Sequence, residues 1–206
     1  MSRTRIKICG ITSVADGLHA AAAGADALGF VFYPKSPRFI SPEDAAVIIR
    51  KLPPFVTSVG LFVNATREVV EQTAQVAGLQ CLQFHGDESP EFCAQFRLPV
   101  VKAFRVRGEQ TLQTLSAYTH LAGWLLDAFV EGQPGGTGER FDWGLAAEAG
   151  RLERPIILAG GLDPVNVAQS IATAHPFAVD VSSGVELRPG VKDADKVQAF
   201  IDAVKR

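Results

Sequence analysis

Short apolar runs rich in Val, Ile and Phe recur along the whole chain, and segments with helix-like spacing of polar and apolar residues fill the intervals between them. The runs at 6–11, 27–32, 58–63, 81–85, 100–106, 124–128, 156–159 and 178–181 predict eight strands. Several of the intervening helices carry start signals. Thr12 or Ser13 precedes the first, Ser41-Pro42-Glu43 the second, Asn64 to Thr66 the third, and Asp163-Pro164 the seventh. Each places a capping oxygen, or a first-turn proline, where backbone N–H groups have no intrahelical partner. Such a βα repeat either closes into a barrel or opens into a doubly wound sheet. Eight units with buried-looking strands, and no G-x-G-x-x-G after the first, favour closure. The expected fold is α/β, a (β/α)8 TIM barrel forming a single domain over 1–206. Its longest irregular stretch, 130–140, follows the sixth strand on the face where barrel enzymes do chemistry, and is a candidate lid.

Composition narrows the class without changing the fold. A chain of 206 residues, 47% hydrophobic and 20% charged with 19 glycines, reads as a globular protein with many tight turns, close to the lower size limit for such a barrel. The net charge of −2 is spread in both signs, which argues against nucleic-acid or acidic-membrane binding. No apolar run approaches membrane-spanning length and none resembles a signal-peptide core, so a cytoplasmic location is expected. Three cysteines, Cys9, Cys81 and Cys93, lack metal-ligand spacing and are expected as free thiols, with no metal site.

In a barrel, polar residues that end apolar strands project into the mouth, so these are the candidates for chemistry. Lys7 and Cys9 share a face of the first strand, where the ammonium would favour the thiolate. The plain alternative is a small core cysteine beside a barrel-bottom cation. Asp127 ends the sixth strand, where burial would raise its pKa and make it a proton donor; its alternative is a capping or ion-paired aspartate. A thiolate base and a carboxylic acid across the mouth suit proton shuttling. Strands seven and eight end in Ala159-Gly160-Gly161-Leu162 and Asp180-Val181-Ser182-Ser183-Gly184, a phosphate-cradle pattern at the two strands where barrels commonly bind phosphate. Gly135 to Gly138, including Gly136, Thr137 and Gly138, add donors if the loop closes, or are a flexible surface turn. Arg38, held in the proline-stiffened Pro34-Lys35-Ser36-Pro37-Arg38, suits a substrate carboxylate, or is an ordinary exposed arginine. His85, ending the fourth strand, is a further polar group at the mouth, or a hydrogen-bonded structural histidine.

Seven quoted segments carry a resemblance over essentially the whole chain: KICGIT at 7–12, GFVFYPKSPR at 29–38, VGLFVN at 59–64, LQFHGDE at 82–88, 126–128 with 135–138, AGGL at 159–162 and DVSSGVE at 180–186. In order and spacing they resemble the phosphoribosylanthranilate isomerase family of tryptophan biosynthesis. The resemblance implies a cofactor-free Amadori rearrangement of N-(5-phospho-β-D-ribosyl)anthranilate, with Asp127 as general acid and Cys9 as general base. It further implies Arg38 on the anthranilate carboxylate, with His85 and Gly136 to Gly138 beside the substrate. The phosphate would lie on groups around Gly160, Gly161, Ser182, Ser183 and Gly184. The expected partner is this phosphosugar-anthranilate, with no nucleic acid and no membrane, in a monomer or homodimer. Three rival readings are a Schiff-base aldolase or lyase using Lys7 or Lys102, a non-catalytic phosphosugar-binding subunit, and a broader isomerase that also takes the related histidine-pathway aminoaldose.

Overall fold

All eight predicted strands form in the computed structural model, which describes residues 3–106, 110–118, 120–127, 143–150 and 154–206. They are β1 (Arg5–Cys9), β2 (Ala27–Val31), β3 (Thr57–Phe62), β4 (Cys81–Phe84), β5 (Val100–Arg105), β6 (Gly123–Asp127), β7 (Ile156–Ala159) and β8 (Ala178–Val181). Each pairs in parallel with its successor, and β8 returns to pair with β1, closing the barrel. Six of the predicted C-terminal ends shift by one or two residues, and three of the starts by one. At β1 the reason is Gly10, whose φ of +78° turns the chain so that Gly10 and Ile11 both donate their N–H to the Gly29 carbonyl.

Strand alternation sorts the side chains into two shells. The outward set, including Ile6, Ile8, Leu28, Phe30, Phe62, Leu82, Phe84, Leu126, Leu158 and Val179, packs against the helices in one large cluster. These helices are α1 (Val14–Ala23), α2 (Pro42–Ile49), α3 (Arg67–Ala77), α4 (Pro90–Cys93), α5 (Gln110–Leu115), α6 (Trp143–Ala149), α7 (Val167–Ala174) and α8 (Ala194–Lys205). Inside the barrel, Val101, Ala103, Leu125 and Ala159 form a smaller cluster, with Cys81 and Ile157 against it. Burial on both faces is why these strands read as nearly continuous apolar runs.

Ser13, Ser41 and Thr66 cap α1, α2 and α3 by accepting from the N–H groups of Asp16, Asp44 and Val69. The seventh helix departs from expectation. Asp163 accepts from the N–H groups of Val165 and Asn166, so it caps a turn, and α7 starts only at Val167. Beyond β8 the chain makes a hairpin that the apolar pattern does not announce, β9 (Glu186–Arg188) against β10 (Val191–Lys192). Its signal is Pro189-Gly190, with Gly190 at φ +80°, flanked by strands too short and charged to register as apolar runs.

Candidate active site

The inward faces of the strands converge at their C-terminal ends. Cys9 is the last residue of β1 and Asp127 the last of β6, with β7 and β8 between them around the barrel. Cys9 is only 6% exposed, whereas the Asp127 side chain keeps 23% of its surface and lies at the rim. The expected pull of Lys7 toward the Cys9 thiolate is present, but it does not decide the balance. Burial pushes the Cys9 thiol up from the ordinary value, and the lowering by Lys7 and Lys192 does not outweigh that burial together with the opposing Asp180 carboxylate. Lys7 is not a cation at the barrel bottom. It lies inside, with Nζ 2.8 Å from Asp180 Oδ2, directly across the β1–β8 register.

Asp127 has a built environment of its own. Its Oδ2 is 3.1 Å from His85 Nε2, and His85 Nδ1 is 3.3 Å from the Gln83 amide nitrogen, a chain of side chains running from β4 to β6. His85 is thus both a group at the mouth and a hydrogen-bonded one.

Arg38 is not an ordinary exposed arginine. Its Nε and Nη2 donate to the two carboxylate oxygens of Glu186 at 2.9 and 2.7 Å. Its stem lies over Gly10, where a Cβ would come within 2.6 Å of Arg38 Cδ, so the guanidinium is held beside the Cys9 end of β1. Glu186 also accepts from Lys192 Nζ at 2.8 Å, and that ammonium donates to the Ser182 carbonyl at 3.3 Å. Burial raises the Glu186 carboxyl, but Arg38 and Lys192 together hold it below its usual range. Glu186, Lys192, Asp180 and Gln83 are site components that the sequence reading did not select. Gln83, Asp180 and Glu186 stood inside the motifs at 82–88 and 180–186, but nothing local to them names their partners.

The turns after β7 and β8 meet. Gly160 and Gly161 adopt φ of +83° and +64°, which L side chains rarely reach, and these values turn the chain sharply after β7. Gly184 presses on that turn so closely that a Cβ there would stand 2.0 Å from the Leu162 carbonyl oxygen. Ser182 donates its hydroxyl to the Cys9 carbonyl, and Ser183–Val185 forms a short 3-10 turn. Gly160, Gly161, Ser182, Ser183 and Gly184 are thereby brought together. Gly136, Thr137 and Gly138 lie outside the described residues.

The arrangement disfavours a lysine nucleophile. Lys7 is locked on Asp180; burial alone would lower it, but Asp180 and Cys9 hold it above its ordinary value, so the neutral amine is scarce. Lys102 shares the face of β5 turned to the helices with Val100 and Phe104, where it donates to the Gly86 carbonyl and lies 3.3 Å from Glu88. Among the described residues no group of three or more His, Cys, Asp and Glu side chains converges as a metal site.

A model of the N-(5'phosphoribosyl)anthranilate (PRA) isomerase family matches residues 6–203. The chain belongs to this isomerase family. A relative in Geobacter sp. (strain M21), an N-(5'-phosphoribosyl)anthranilate isomerase, is 57% identical over 203 residues, 98% of each chain. The crystal structure of phosphoribosyl anthranilate isomerase from Thermotoga maritima superposes with a TM-score of 0.93 at 45% identity, covering 98% of both chains. A further structure of phosphoribosyl anthranilate isomerase, 44% identical with a TM-score of 0.89 and the same coverage, holds reduced 1-(o-carboxyphenylamino)-1-deoxyribulose 5-phosphate.

Proposed function

We propose that this chain converts N-(5-phospho-β-D-ribosyl)anthranilate to 1-(2-carboxyphenylamino)-1-deoxy-D-ribulose 5-phosphate, with Asp127 as general acid and Cys9 as general base. The observation that carries the reading is the placement of these two proton-transfer groups at one end of one barrel, on strands separated by the phosphate-suited turns of β7 and β8.

Asp127 gives its proton to the ribose ring oxygen as the C1–O bond breaks, and the anilino nitrogen lone pair forms the C=N bond of a protonated imine. The Cys9 thiolate then takes the C2 proton, and that electron pair makes a C1=C2 enolamine while neutralising the nitrogen. Protonation at C1 and loss of the enol proton complete the ketone. The Gln83 amide, turned to donate to His85 Nδ1, leaves the hydrogen on Nε2, which donates to Asp127 Oδ2. Oδ1 then carries the proton that is delivered. Burial of Cys9 costs thiolate at rest but makes the thiolate that does form a stronger base.

Arg38 takes the anthranilate carboxylate, with His85 and the Gly136 to Gly138 loop beside the substrate. Gly160, Gly161, Ser182, Ser183 and Gly184 take the phosphate. The reading includes no cofactor and no metal, the whole of 1–206 as one barrel domain, a monomer or homodimer, and a cytoplasmic setting for the tryptophan pathway. No helix among the described residues is long and apolar enough to cross a membrane.

The test follows the fluorescence of the anthranilate group in the substrate with wild type, Cys9→Ser and Asp127→Asn, without added metal or nucleotide. Fast loss is expected in wild type, and turnover lower by about 10²–10⁴-fold in each variant with the fold retained. Wild-type turnover in either variant removes the role given to that residue. No turnover in folded wild type removes the activity itself.

A further inference from the structure

Inside the barrel, one turn of alternation below the catalytic thiol, lies a buried ion pair that the proton transfers described above do not use. Lys7 Nζ and Asp180 Oδ2 are 2.8 Å apart, with side chains only 7% and 8% exposed. Asp180 Oδ1 is buried without a hydrogen-bond partner among the described residues, so the carboxylate is committed to the lysine by one oxygen alone. Above the pair, Gly29 of β2 makes room for a convergence. A Cβ at Gly29 would stand 2.7 Å from Cys9 Sγ and 3.1 Å from Lys7 Cε, so the thiol and the lysine stem crowd over the same missing side chain.

We propose that Lys7 is a positioning residue for Cys9: clamped by Asp180 and admitted by Gly29, its ammonium is aimed at Sγ and holds the charge that the base must carry. The proposal rests on the reading of Cys9 as the base. A buried ammonium without a counter-ion tends to shed its proton, and Asp180 prevents this, which explains an otherwise costly pair inside an apolar barrel. Among the described residues, the charged groups acting on Cys9 divide by sign. Lys7 from β1 and Lys192 from β10 favour the thiolate, and Asp180 from β8 opposes it. Arg38, after β2, is also coupled to Cys9, while Glu186 of β9 neutralises part of Arg38 and Lys192. Cys81 of β4 also feels Lys7, but burial keeps it a thiol. Lys7 and Lys192 offset, without overcoming, the burial of Cys9.

The test measures the pH dependence of Cys9 alkylation by iodoacetamide, read from the mass of the Cys9 peptide, alongside the pH profile of kcat/KM. In Lys7→Met the alkylation midpoint is expected to rise by about one pH unit or more, equivalent to about tenfold slower alkylation below it. The acid limb of kcat/KM should move with it, while Lys7→Arg keeps both midpoints near wild type. A Lys7→Met enzyme that loses turnover with an unmoved alkylation midpoint overturns the proposal, because a purely structural lysine predicts that pattern. Should Lys7→Met fail to fold around the unpaired Asp180 carboxylate, the doubly neutral Lys7→Met/Asp180→Asn replaces it. Lys7 weighs more on Cys9 than Asp180 does, so its midpoint should still rise, and an unmoved one overturns the proposal equally. Full turnover in Cys9→Ser would instead remove Cys9 as base, while the alkylation midpoints still report whether Lys7 acts on the thiol.

Discussion

Arg38 shows how a single side chain acquires direction. A guanidinium presents two forks, and Glu186 takes the one formed by Nε and one Nη2 hydrogen. In the function proposed above, the other fork, Nη1 with the second Nη2 hydrogen, is the edge that takes the substrate carboxylate, and the Gly10 backbone lies beneath the stem. Hydrogen bonds to charged groups are worth about 1.5–3 kcal/mol. Arg38→Ala is therefore expected to raise KM by about 10- to 100-fold with kcat changed far less, and Glu186→Gln to raise KM by a smaller factor. An unchanged KM in Arg38→Ala would remove the carboxylate clamp. The sequence made Arg38 legible because prolines flank it in a loop after a strand. Glu186 was not, since its partner lies 148 residues away and no local spacing encodes that pairing.

At the scale of elements, the proposed phosphate site is a junction between two turns. Gly184 has no room for a side chain against the Leu162 carbonyl, so Gly184→Ala must push the β8 turn off the β7 turn. We expect KM to rise by about tenfold or more, and inhibition by inorganic phosphate to weaken in parallel, in a protein whose circular dichroism is unchanged. Equal KM and equal phosphate inhibition would mean that the two turns do not need this contact. The glycines and serines of both turns stood out in the sequence, because strand ends followed by Gly-Gly or Ser-Ser-Gly are a local pattern. The β9–β10 hairpin did not, and with it went Lys192, the cation that ties Glu186 to the Ser182 carbonyl. The same limit explains α7, where Asp163-Pro164 looked like a helix start but closes a turn that Asn166 also holds, through its side-chain bond to the Gly161 carbonyl.

For the whole molecule, the closed barrel sets a pH limit as well as a site. Burial pushes the Cys81 and Cys93 thiols up to about 11 from an ordinary value of 9.0. The folded chain thus keeps protons that the unfolded chain releases, so this contribution to stability is intact below pH 9 and is lost as pH rises toward 11. The urea midpoint is expected to fall across that window, and Cys81→Ala/Cys93→Ala should flatten the fall; an unchanged slope in the double variant would assign it to other groups. The sequence by itself determined the eight strands, the helix starts at Thr12 or Ser13, at Ser41 and within 64–66, and the polar residues at the strand ends, because each depends on alternation or a bond spanning a few residues. Only the tertiary structure decided that Lys7 meets Asp180, that Arg38 meets Glu186, and that His85 meets Asp127. Closure of the barrel brings together groups far apart in the chain, and the cost of burying a charge or a thiol depends on what that closure places beside it.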